Sequence, residues 1–69
     1  MTPREQRIAE AVRDACVAEF QTRADEMREM ASRFSPTVQE RTAEIARGLE
    51  ANAALLRALD VAAVVAKVE

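Results

Sequence analysis

The sequence predicts an all-α protein: an antiparallel helical hairpin with a short third helix at its C-terminal end, dimerising into a four-helix bundle. Three observations point there. Ser35-Pro36 is the only strong break in a chain otherwise made of helix formers. It divides 69 residues into two arms of nearly equal length. Each arm carries one apolar stripe at helical spacing, so each has a single face to bury.

The first arm opens at Thr2-Pro3, with Thr2 as cap and Pro3 in the first turn, where its missing N–H goes unused. No Gly or internal Pro interrupts a helix from residue 3 to residue 33. The apolar stripe runs Ile8, Val12, Cys16, Phe20, Ala24, Met27, Ala31 and Phe34, one face of a nearly straight helix. The other face carries Arg4, Arg7, Asp14, Gln21, Asp25, Glu29 and Ser32. Glu19 with Arg23, and Glu29 with Arg33, are acid-before-base pairs at i,i+4. On this stripe Cys16 is expected to be a small core residue, and Met27 and Met30 are expected to fill the core beside Phe34.

A turn at 34–35 leads to the second helix, 36–59, which Ser35 caps and Pro36 opens. Its heptad seam is Val38, Thr42, Ile45, Leu49, Asn52, Leu56, Leu59, Ala63 and Ala66. Ala46 and Gly48 lie beside the seam, where small side chains let another helix approach. Ile45, Leu49, Asn52, Leu56 and Leu59 are the expected oligomer or partner interface. A polar residue at a seam position fixes register and oligomer state if it is dry. If the helix is rotated slightly, Asn52 reaches water instead. Asp60 is a candidate cap for a short helix over 61–67, or for a bent final turn; a straight continuation is the alternative, since no obligate breaker intervenes.

Size argues for self-association. Ordering 69 residues costs roughly 100 kcal/mol at about 1.5 kcal/mol per residue. Against this the chain has two aromatic residues, Phe20 and Phe34. Small domains escape by disulfides, a metal or oligomerisation. One cysteine makes no internal bridge, and without histidine no structural zinc site can be assembled, so a partner is expected to complete the core.

Composition speaks against most chemistry. Without histidine there is no obvious nucleophile–base pair, and one Gly cannot build a phosphate-cradling loop. The acids lie mostly off the stripe, and inward-facing Glu with Glu-x-x-His, the pattern of di-iron bundles, is absent. No enzymatic activity, cofactor or metal is therefore expected. A net charge of −2 exerts no strong pull on nucleic acid or anionic lipid, and the arginines are interleaved with acids. No apolar run approaches the about 20 residues of a membrane span. The unpaired cysteine and lack of a signal peptide lead to an expectation of the cytoplasm.

Two resemblances add to this reading. The run Ala53-Ala54-Leu55-Leu56-Arg57-Ala58-Leu59-Asp60 resembles the ends of many small proteins encoded by phages and prophages of high-GC bacteria. That resemblance implies an accessory protein acting in the host cytoplasm, such as an inhibitor of host defence in the manner of anti-CRISPR proteins. Met1-Thr2, Glu5, Arg7 and Ile8, then Pro36, Ala46-Arg47, Leu49-Glu50, Leu56 and Leu59, are similar to the helical-hairpin co-chaperones of type III secretion needle subunits. The middle of the first arm does not match them. The expected function is a non-enzymatic interaction module that self-associates and modulates another protein. A phage-encoded inhibitor is the leading version and a secretion co-chaperone the second. A helical nucleic-acid-binding accessory protein is the alternative of a different class.

Overall fold

The computed structural model describes residues 2–68, all in helices or their connections: α1 (Pro3–Ala31), α2 (Pro36–Arg57) and α3 (Val61–Val68). Each helix begins where a capping side chain meets its first free N–H groups. The Glu5 N–H donates to Thr2 Oγ1 at 3.1 Å, and the Thr2 hydroxyl donates to the Glu5 carboxylate at 3.0 Å. The Val38 N–H donates to Ser35 Oγ at 3.4 Å. The Ala63 N–H donates to Asp60 Oδ1 at 3.2 Å.

Helix α1 stops at Ala31, before the expected residue 33. Pro36 disfavours helical backbone at Ser35, so the chain leaves the helix early. It does so through tighter bonds: the Arg33 N–H reaches Met30 O at 3.4 Å and the Phe34 N–H reaches Ala31 O at 2.9 Å. Gln39 closes the turn by donating from Nε2 to the Phe34 carbonyl at 3.0 Å. Arg33 therefore lies past the helix. The expected Glu29–Arg33 pair is not among the ion pairs of the described residues, whereas Glu19–Arg23 forms at 2.9 Å.

Helix α2 ends at Arg57, and the chain bends without Gly or Pro. A long-range contact supports the bend. Arg13 Nη1 donates at 3.0 Å to the Leu59 carbonyl, which a continuing helix would have used itself. Helix α3 then folds back against α1, with Val61 and Val65 half-buried.

The seam between α1 and α2 is built from alanine. The buried residues are Val17, Ala24 and Ala31 on α1, spaced by sevens, and Ala46 and Ala53 on α2, also seven apart. Ala24 and Ala46 are 0% exposed. No large side chain is fully buried among the described residues. This corrects the expected core. Ile8, Val12, Cys16 and Met30 are exposed on α1, as are Phe34 in the turn and Val38, Ile45 and Asn52 on α2. Phe20, Met27, Leu49 and Leu56 are half-buried. Both helices are rotated by a fraction of a turn from the expected register. Alanine at the contact lets the backbones approach, and the larger side chains then fit only along the flanks.

The molecule measures 51 × 18 × 14 Å, with a radius of gyration of 16.0 Å against about 11 Å for a globular chain of this length. It is a rod two helices wide and one helix thick. Helix α2 has one side covered by α1, and α1 is covered by α2 and in part by α3; the rest of each is open.

Candidate protein-interaction surface

The rod has two unlike broad faces. One is polar and held by a network across the hairpin. Gln21 Nε2 donates to the Asp25 carboxylate at 3.2 Å and to the Glu50 carboxylate at 3.1 Å. Arg28 pairs with Glu50 and lies 3.9 Å from Asp25. The Arg28 hydrogen bond, seconded by that from Gln21, lowers the Glu50 carboxyl from its ordinary 4.5 to about 2, and the same contact raises Arg28. Nothing local in the sequence signals this network, because its members come from both arms.

Its pH consequence has a definite sign. A carboxyl lowered in the folded state contributes stability above its unfolded pKa and loses it as pH falls through the folded one. The hairpin is therefore expected to lose this contribution between about pH 4.5 and pH 2, the window from the ordinary to the folded pKa of Glu50. Glu50→Gln should flatten that part of a stability–pH profile measured by urea unfolding. An unchanged profile would show that the pair contributes nothing.

The other broad face is apolar. Near the turn, Met27, Met30, Phe34, Val38 and Thr42 line one shallow cleft. Farther along, Met27 and Met30 meet Ile45 and Leu49 around a second. Cys16 and Phe20 line a third toward the α1 N-terminus. Of the five expected interface residues, Ile45, Leu49, Asn52 and Leu56 fall on this side of α2 by helical position, and Leu59 lies just past its end. Ile45 is 57% exposed, Leu59 39%, and Asn52 is also exposed, whereas Leu49 and Leu56 are half-buried. Leu55, 72% exposed, adjoins them; it lies outside the expected interface set, and its spacing from Asn52 and Leu59 is the signal that marks it.

Cys16 is exposed on this face, not in the core as expected. Cys16→Ala is therefore expected to change unfolding free energy by no more than about 0.5 kcal/mol, as for surface changes generally. A larger loss by chemical denaturation would return the thiol to a packed environment.

Among the described residues no group of three or more His, Cys, Asp or Glu side chains is arranged to hold a metal ion, and no helix is long and apolar enough to cross a membrane. No family model, curated protein or solved structure matches the chain.

Proposed function

We propose that this protein is a non-enzymatic interaction module that self-associates through its apolar face and in that form binds and modulates another protein. The observation that carries the reading is excess surface. The chain exposes 5306 Å², where a folded monomer of 7.6 kDa ordinarily exposes about 4,300 Å². The surplus, about 1,000 Å², is close to the roughly 800 Å² that each partner buries in a standard interface. Six of the large apolar residues that are more than a third exposed, among them Met30, Phe34, Ile45 and Leu55, supply an apolar lining for such an interface. Large apolar residues grouped on one exposed face mark an association site rather than ordinary surface.

Sedimentation equilibrium tests the first half: a concentration-dependent dimer is expected at micromolar protein, and a stable 7.6 kDa monomer at every concentration would overturn it. Affinity capture from the native host followed by mass spectrometry tests the second half. Recovery of a host-defence component supports the phage-encoded inhibitor, and recovery of a secretion needle subunit supports the co-chaperone.

A further inference from the structure

Gly48 is the chain's one glycine, and it stands in the middle of α2 rather than in a turn. A helix-interior glycine weakens a helix relative to alanine. Nothing inside this molecule requires it: a Cβ built at Gly48 would meet no atom within 4 Å, and the residue is exposed. The backbone does not need it either, since no described residue, glycine included, has a positive φ. The position is therefore bare without an intramolecular reason.

Its neighbours on the helix surface supply one. Ile45, Gly48, Asn52 and Leu55 succeed one another in steps of three and four along the flank of α2 away from the alanine seam, and Leu59 continues the series just past the helix. Ile45 and Leu55 are more than half exposed. On α1 the corresponding flank mixes the charged Glu19, Arg23 and Glu26 with the exposed apolar residues Ile8, Val12 and Met30. On α2, by contrast, no charged residue interrupts the run Ile45, Gly48, Asn52, Leu55 and Leu59. A partner seated on this face is centred over α2, with the bare backbone of Gly48 beneath it.

We infer that the occupant is a second copy of this chain, and that the two α2 helices cross at Gly48 in a two-fold interface flanked by Ile45, Asn52 and Leu55 from each copy. This rests on the self-association reading above and specifies its geometry. The surplus surface matches the area that a dimer of this chain would cover, and a two-fold contact brings the same patch from both copies together. Absence of a side chain at the crossing lets two backbones approach, as small residues do at the α1–α2 seam.

The test uses the full chain with Cys16→Ser as background. Gly48→Cys is oxidised at a protein concentration well above the parent's dissociation constant, beside a control, Ala54→Cys, an exposed position on the polar side of α2. A disulfide needs Cα atoms about 4.4–6.8 Å apart. The Gly48→Cys protein is expected to form covalent dimer nearly completely and the control to form little. In parallel, Gly48→Ala, which favours an isolated helix, is expected to raise the dimer dissociation constant about tenfold or more, because a methyl group at the crossing overpacks it. A protein that dimerises but does not cross-link at residue 48, or whose Gly48→Ala variant dimerises as tightly as the parent, overturns the crossing geometry and leaves self-association standing. A parent chain that is monomeric at all concentrations overturns both.

Discussion

Replacing Ala46 by leucine is expected to unfold a large part of the hairpin's stability margin. Ala46 is 0% exposed, and the face that it occupies on α2 also carries Ala53, with the buried Ala24 on the facing helix. A rod one helix thick has no second layer into which a displaced side chain can move. Three extra carbon atoms must therefore separate the helices or force an off-rotamer side chain. Overpacking of this kind costs about 1–3 kcal/mol. The helices also carry the cross-hairpin contacts of Gln21, Arg28 and Glu50, which depend on the same spacing. Urea unfolding should show the midpoint moved well down with little change in slope. Ala51→Leu, with the same added volume at an exposed position, should stay within about 0.5 kcal/mol of the parent. If the two variants unfold alike, the helices are not seated on their alanines.

That contrast marks what the sequence made legible. Helix ends were readable because their determinants are local: Thr2-Pro3, Ser35-Pro36 and Asp60 each place a capping oxygen ahead of free N–H groups. The end of α1 was readable only to within a turn, since the effect of Pro36 on the preceding residues is spread over Ser32 to Ser35. The helix faces were harder. A search for apolar stripes is drawn to bulk, and bulk here lies at Ile8, Val12, Phe34 and Ile45. The contact belongs to Ala24, Ala31, Ala46 and Ala53, whose sevenfold spacing was present in the sequence but whose small area carried little weight. Val17 sits one position from Cys16, and that single step turns the core stripe into the open face. Asn52 followed the same rotation into the exposed set, outside the hairpin's own seam. The short third helix was legible from Asp60, but a straight continuation stayed open as its alternative, because the Arg13 contact with the Leu59 carbonyl that supports the bend joins positions far apart in the chain.

Ile45→Arg should separate the two roles that the expected core had merged. Ile45 is 57% exposed in the hairpin and lies on the apolar side beside Leu49, so the single chain can hold an arginine there with its guanidinium in water. Helix propensity does not oppose the change, since arginine is at least as good a helix former as isoleucine. Helicity at high dilution is therefore expected to be nearly unchanged. Association is another matter. An arginine from each copy would be brought into a covered apolar face, where an unpaired charge costs several kcal/mol. At about 1.4 kcal/mol per tenfold, the dissociation constant should rise by at least a hundredfold. Sedimentation at micromolar concentration should show monomer where the parent shows dimer, and the thermal transition should lose its dependence on protein concentration. The opposite result is equally informative: an Ile45→Arg protein that remains dimeric, with the parent's concentration dependence, would mean that the apolar side of α2 is not the surface where copies meet. The charge repulsion also makes a salt dependence observable. Residual dimer of the variant should strengthen as ionic strength rises and the two guanidinium groups are screened from each other, whereas the parent's apolar contact should respond much less.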